Sequence, residues 1–389
     1  MGQQAETFPC IRSLNIQGYR PFGDFSTPLT PLEVIVGANG AGKSSLFEFL
    51  KFLRDAVNQD IPPEVVTGSV GRQIFHSSKK PKFSWQVEME LGRPYTLCYQ
   101  GEVRGPLGRI SITFERLVTP FSRDPLLDIR GGMGKARDPG RIGYPQEFNL
   151  RRPNQLALSV MTNPSFPILY DVREFVSGWR LYSAFNINQT QIRKSVPTEQ
   201  YPILHEDGGN LSAVLFFLMT EHPLVFDELK THLRSAIPGF RNLTVKARGG
   251  PGEVIAFWQE DGVDSELSLA DLSDGILRFL CWAVLSLTPN PPTLVCIDEP
   301  DQGVHPRTLP ILAGLFEKAS GRTQFLLATH ASYFLTQFDV ARLAVMKKVD
   351  GESRYLKPAD SAALRANLEE FGASELEAMH RSDELAALL

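Results

Sequence analysis

The segment Gly37-Ala-Asn-Gly-Ala-Gly-Lys-Ser44 has the residue types and spacing to hold a chain of phosphates. It fits G-x-x-x-x-G-K-[ST]: the glycines let the backbone turn tightly enough for successive N–H groups to converge on one anion, and the following helix adds the positive end of its dipole. Gly37, Asn39, Gly40, Gly42 and Ser45 are expected to wrap the phosphates, with Lys43 reaching the β- and γ-phosphates and Ser44 holding Mg2+. A second chemical element is Leu294-Val-Cys-Ile-Asp-Glu299, an apolar run that ends in two carboxylates. Asp298 is expected to complete the Mg2+ shell, and Glu299 to polarise the attacking water as general base. A third is Gln324-Phe-Leu-Leu-Ala-Thr-His330, an apolar run closed by a histidine placed to contact the γ-phosphate and that water. Together they describe the chemistry of nucleoside triphosphate hydrolysis.

Such side chains meet only if a sheet brings its strand ends together. Leu32 to Val36 reads as a buried strand before the loop, and a helix over about 43–57 is apolar at Leu46, Phe49, Leu50 and Leu53. Pro291 and Pro292 stop any helix before the acidic strand, and strands at 324–329 and 342–347 with a helix at 307–319 complete a parallel-sheet core. Upstream, 11–36 reads as two strands about a turn from Gly18 to Pro31. Alternating segments at 83–91, 95–103 and 109–117 read as an antiparallel meander with a hairpin turn at Gly92-Arg93. The stretch 124–153 has no periodicity and is expected to be a mobile loop, locally basic through Arg130, Lys135, Arg137, Arg141, Arg151 and Arg152. From 154 to 240 the pattern is helical, strongest at Leu211 to Leu218 with Asn210 as N-cap. Segments 243–247 and 253–259 return to strands about Gly249 to Gly252. Asp360 to Leu389 reads as two acidic helices around Gly372.

A fourth element is Leu272-Ser-Asp-Gly-Ile-Leu-Arg278, in which Ser273 and Gly275 open a helix over 276–287 whose free N–H groups make another anion site. One phosphate loop has no use for two such sites. ABC-type ATPases do, because each subunit's signature motif covers the γ-phosphate held by the other subunit. The order of loop, signature, acidic strand and histidine resembles the RecF/SMC-like ABC-type ATPases. So do Ile16-Gln-Gly-Tyr-Arg-Pro-Phe22, Asp298-Glu-Pro-Asp-Gln-Gly-Val-His-Pro306 and Leu368-Glu-Glu-Phe-Gly-Ala-Ser-Glu-Leu376. Within that family the chain is similar to the short bacterial AAA-family ATPases that lack a Toprim nuclease domain and are related to the OLD-family ATPase module. Asp301-Gln302 and Ala331-Ser332 stand where the family often has Glu-Asn and Ser-Pro, which leaves the metal ligand, base and histidine in place.

The resemblance implies an α/β fold, a P-loop NTPase of ABC-ATPase type with a mixed-sheet core, an antiparallel β lobe and a helical insertion. It implies ATP and Mg2+ as cofactors, a nucleotide-dependent homodimer, and an effector protein such as a nuclease encoded nearby, in anti-phage defence or genome maintenance. A glutamine linking Mg2+ to the helical lobe is expected as well, with Gln146 as candidate and Gln155 next. The chain then divides into a lobe with P-loop and meander (1–123), the basic loop (124–153), a helical insertion (154–240), the signature and acidic-strand lobe (241–358) and an acidic tail (359–389).

At 389 residues and 42% hydrophobic, the chain has material for one large composite domain. A net charge of −4 gives no overall basic footprint, so nucleic-acid binding would need a local patch. The alternative reading, a RecF-like clamp on DNA, rests on the basic loop; a nucleotide sensor without hydrolysis is disfavoured by Glu299 and His330. Cys10, Cys98, Cys281 and Cys296 have no C-x-x-C spacing and suit a reducing compartment. No signal segment or run of about 18 apolar residues is present, so a cytoplasmic protein without a membrane span is expected.

Overall fold

A computed structural model describes residues 8–61, 74–77, 79–106, 109–120, 122, 124–137, 145–162, 164, 166–183 and 191–361. The tail helices expected after Asp360 and Arg141 of the basic stretch lie outside them. The chain opens with β1 (Cys10–Tyr19), β2 (Phe22–Pro28), β3 (Leu32–Val36) and α1 (Lys43–Asn58), followed by β4 (Lys82–Glu90), β5 (Leu97–Arg104) and β6 (Ser111–Val118). Next come β7 (Leu127–Arg130), β8 (Met133–Ala136), β9 (Gln146–Asn149), α2 (Ala157–Val160), α3 (Pro167–Ser177), β10 (Trp179–Tyr182) and β11 (Val196–Pro197). The remainder is α4 (Leu211–Glu221), α5 (Pro223–Ala236), β12 (Phe240–Ala247), β13 (Glu253–Glu260), β14 (Leu267–Ser268), α6 (Asp274–Leu287), β15 (Leu294–Asp298), α7 (Leu309–Ala319), β16 (Gln324–Ala328), α8 (Ser332–Leu335), β17 (Leu343–Val349) and β18 (Glu352–Leu356).

Among the described residues, the sheet that carries the chemistry has strand order β10-β15-β16-β3-β17-β18, parallel except for β18. It is buried on both faces. Leu32, Val34 and Val36 of β3 point into a core shared with α4, α5, α6 and α7, while Ile35 points into a second core shared with α1 and the antiparallel strands. That is why β3, β15 and β16 read as largely apolar runs rather than alternating ones, interrupted inside a strand only by Glu33 of β3. The antiparallel sheet, ordered β2-β1-β4-β5-β6-β7-β8-β9, lies across α1. Phe49 and Phe52 meet Tyr19 and Phe83 edge-on at 5.3 Å each, and Phe49, Leu50 and Leu53 are fully buried. At about 1.5–3 kcal/mol for each such side chain, this packing makes α1 a rigid support for the loop at its start.

Four expectations are corrected. The stretch 124–153 is not one mobile loop: β7, β8 and β9 extend the antiparallel sheet, and Gly131 and Gly132, both at positive φ (56° and 83°), form the two-residue hairpin turn between β7 and β8. The region 154–240 is not a purely helical insertion, since β10 pairs in parallel with β15 and forms the edge of the central sheet. Residues 11–36 hold three strands, not two. Asn210 stands at the start of α4, but its side chain is turned to Glu199 Oε1 (3.1 Å), the Ile203 carbonyl (2.9 Å) and the His205 N–H (2.8 Å), so it staples the preceding loop instead of capping the helix. Glu115 on β6 is fully buried. It accepts from Tyr99 Oη at 2.9 Å, from the Leu158 N–H at 3.1 Å and from the Ala157 N–H, which ties the β lobe to α2.

Candidate functional site

The phosphate loop leaves β3 at Gly37, where φ is +151° and an added Cβ would fall 2.1 Å from the Met346 carbonyl oxygen, and enters α1 through Gly42 at φ +111°. Only glycine suits either place. Gly42, as N-cap, brings no side chain to the first amides of α1, which stay available to an anion. Lys43 is 5% exposed and donates from Nζ to the carbonyls of Gly37 (2.6 Å) and Ala38 (3.2 Å). Burial pushes its ammonium down to about 8, against the upward pull of Asp298 and Glu299. Asn39, Gly40 and Ser44 are exposed and Ser45 is half-buried beside them.

Strand register then assembles the rest. Ile35 of β3, Ala328 of β16 and Asp298 of β15 stand side by side, so the strand that leads to His330 lies between the loop strand and the acidic strand. Ser44 Oγ donates to Asp298 Oδ2 at 3.2 Å, two hard oxygens next to each other. Glu299 turns out of the sheet at φ +57°, unusual for a side chain with Cβ, while its N–H donates to the Ala328 carbonyl at 2.8 Å. His330 is exposed at the rim. Desolvation of its ring and the charge of Lys43 lower its pKa from the ordinary value, while Glu299, Asp298 and Asp301 act in the opposite direction. One local field therefore joins Lys43, Asp298, Glu299 and His330. Sequence reasoning passed over Thr329, fully buried beside His330: its hydroxyl donates to Asp301 Oδ1 at 2.5 Å and accepts from the Ala331 N–H at 3.0 Å. A lone polar residue closing an apolar strand was the signal that could have found it.

Ser273 is the N-cap of α6, with Oγ accepting from the Ile276 N–H at 3.3 Å. A Cβ on Gly275 would lie 2.7 Å from the Gly303 carbonyl oxygen, and Arg278 Nη1 donates to the Gln302 carbonyl, so this helix end rests on the turn that follows Glu299. Among the described residues, no hydrogen bond or ion pair joins Ser273, Asp274 or Gly275 to the phosphate loop of the same chain. Gln146 stands on β9, the outermost strand of the antiparallel sheet, opposite Ala136. Gln155 donates to Asp60 at 3.1 Å, beyond the far end of α1 and so about 24 Å from the loop at 1.5 Å rise per residue. The structure brings neither glutamine to the other site residues.

A family profile described as "AAA domain, putative AbiEii toxin, Type IV TA system" matches residues 141–336, half of the chain, and one described as "AAA ATPase domain" matches residues 10–88. Among solved structures, an SMC head bound to the C-terminal winged-helix domain of ScpA is similar at 13% identity and TM-score 0.56, covering 89% of this chain and 97% of that one. An SMC head domain with an extended coiled coil, bound to the C-terminal domain of ScpA and derived from Pyrococcus furiosus, is similar at 12% identity and TM-score 0.57, covering 93% and 100%. These likenesses show the fold. With the two profiles covering the phosphate loop, the signature, the acidic strand and the histidine, the chain belongs to the AAA-domain ATPase family, as a nucleotide-binding ATPase of SMC/RecF-like, ABC-type fold.

Proposed function

We propose that this ATPase is a molecular switch in which two copies close around two ATP molecules, hydrolyse them, and pass the closing and opening to a protein partner. The observation that carries the reading is exposure. Ser44, His330 and Ser273 all face solvent in the single chain, whereas phosphoryl transfer is served by a site from which bulk water is excluded. One isologous interface that lays the Ser273 end of α6 from each copy over the Lys43 loop of the other closes both sites at once. The Ser273 hydroxyl, whose oxygen already accepts from Ile276, keeps its own proton to donate to a γ-phosphate oxygen.

In this reaction Lys43 supplies positive charge to the β- and γ-phosphates, and the amides of Gly40, Gly42 and Ser45 orient them. Ser44 and Asp298 suit Mg2+, which takes one or two carboxylates with phosphate and water; when bound, it neutralises charge on the β- and γ-oxygens. Glu299 accepts the proton of the attacking water as the water's oxygen bonds to the γ-phosphorus and the bond from that phosphorus to the β–γ bridging oxygen breaks, so that ADP and inorganic phosphate leave. His330, a neutral imidazole at neutral pH, donates its ring N–H to the γ-phosphate.

The ScpA domains on the SMC heads support a protein partner for this chain. The description of the matched family, a putative toxin of a type IV toxin–antitoxin system, favours a setting in anti-phage defence over genome maintenance; in that setting we take the partner to be an effector such as a nuclease. A clamp on DNA is less supported, because the basic stretch is largely paired: Arg137 with Asp124, Arg152 with Asp60, Lys135 with Glu147 and Arg130 with Asp128. The test is Glu299→Gln at pH 7. ATP binding is expected to persist while turnover falls by about 10²–10⁴, and light scattering should show the mass doubling when ATP is added. A variant that stays monomeric with ATP at every protein concentration refutes the switch, and near-normal turnover removes Glu299 as base.

A further inference from the structure

Arg193 lies outside the phosphate site, yet its guanidinium gathers the whole approach to α6. Nη1 donates to the carbonyls of Leu269 (3.2 Å), Ala270 (2.8 Å) and Leu272 (3.0 Å), and Nη2 to Asp274 Oδ1 (2.7 Å). These acceptors belong to the 3-10 helix Leu269–Asp271, to an extended residue and to the first turn of α6. The chain must break between the two helices: Leu272 and Ser273 are both extended, at φ/ψ of −78°/149° and −68°/154°. That break turns carbonyls out of helical pairing. The two N–H groups of Nη1, shared among the three carbonyls, and Nη2 on Asp274 lie in one rigid plane that spans both sides of the break, a geometry that a lysine ammonium on a flexible stem does not hold. Ile192, 2% exposed in the core with α4 and α6, pins the backbone that presents Arg193.

We infer that Arg193 is the positioning residue of the signature: it fixes the break so that Ser273 and the first N–H groups of α6 stand where the second copy's γ-phosphate arrives. The inference rests on the proposed two-copy site. Arg193 itself touches no substrate and acts through the Leu272–Asp274 backbone and the Asp274 carboxylate. A residue that served stability alone would not separate kcat from KM, and its loss would not be made good by an intact partner subunit.

The test uses the full chain with ATP and Mg2+. Arg193→Ala is expected to keep KM for ATP within about twofold while kcat falls by about 10- to 100-fold, the cost of misplacing a catalytic group by about an ångström. Arg193→Lys should not recover it. Mixing Arg193→Ala with Lys43→Ala should return activity, because the heterodimer then holds one intact loop facing one intact signature. The control is a mixture of Ser273→Arg with Lys43→Ala. If the control regains activity and the Arg193→Ala mixture does not, or if Arg193→Ala turns over normally, the inference is overturned and the switch stands. If the control fails in proven heterodimers, the two-copy site falls and this inference falls with it. Hydrogen exchange guards against a folding defect: amides of 272–276 should exchange faster in Arg193→Ala with those of 279–287 unchanged, and unchanged exchange at 272–276 also overturns the inference.

Discussion

Lys43 offers the most quantitative test of the site. Its ammonium is buried and held near a pKa of about 8, so it is mostly charged at pH 7 and mostly neutral at pH 9. Since the charged form binds ATP, the dissociation constant should scale as the inverse of the charged fraction, which falls from about 90% to about 10% across that range. The expected loss is about tenfold, equivalent to about 1.4 kcal/mol. Binding draws a proton onto the amine, so calorimetry in two buffers of different ionisation enthalpy should show an uptake of about half a proton per ATP at pH 8. The sign is specific: affinity is full below pH 7 and is lost as pH rises. Asp298 and Glu299 pull the pKa upward, so Glu299→Gln, which removes one of those charges, should move the whole affinity curve to lower pH. A dissociation constant that is flat from pH 7 to 9, with no proton uptake at pH 8, refutes the reasoning about the desolvated lysine.

Two further tests follow from backbone space and from a buried acid. Gly37→Ala should destabilise the protein by about 1–3 kcal/mol in urea unfolding and weaken ATP binding, since its Cβ collides with the Met346 carbonyl. Gly40→Ala, whose Cβ meets nothing within 4 Å, should disturb the fold less; equal losses would refute the steric argument. Burial raises Glu115 from 4.5 to about 7 despite the three hydrogen bonds that favour its charged form. Because the folded state binds the extra proton, stability should be greatest below about pH 4.5 as far as this group is concerned, and fall as pH rises to 7 by up to about 3 kcal/mol. Glu115→Gln should abolish that slope, and an unchanged slope in denaturant titrations would assign it elsewhere.

The central sheet was readable because its strands are buried on both faces, which leaves largely apolar runs at Leu32–Val36, Leu294–Asp298 and Gln324–Ala328, with Gly37, Asp298 and His330 at or just past their ends. Ser273 was readable as an N-cap by the same local logic. What escaped was decided at a distance. Trp179 to Tyr182 is a strand because Leu294 to Ile297, far along the chain, offers it a parallel edge. The amide of Asn210 had a local use as a cap and found three partners in the preceding loop instead. Gly131-Gly132 and Asp350-Gly351 are hairpin turns with both residues at positive φ, a signal present in the sequence but obscured by short, charged strands on either side. Gln146 could not be placed at all by pattern, because nothing in Tyr-Pro-Gln specifies which end of a sheet it will reach.

Glu299 sits in a backbone conformation that a glycine would adopt with less strain, at a difference of about 1–3 kcal/mol. With Glu299 as the proposed general base, thermal robustness and turnover pull in opposite directions at this one position. Selection for heat resistance alone would drift toward glycine there, and the product would be a hardier protein that holds nucleotide and does not turn it over. Variants gathered by stability screening should for that reason be sorted by turnover before any of them is taken to represent the working ATPase.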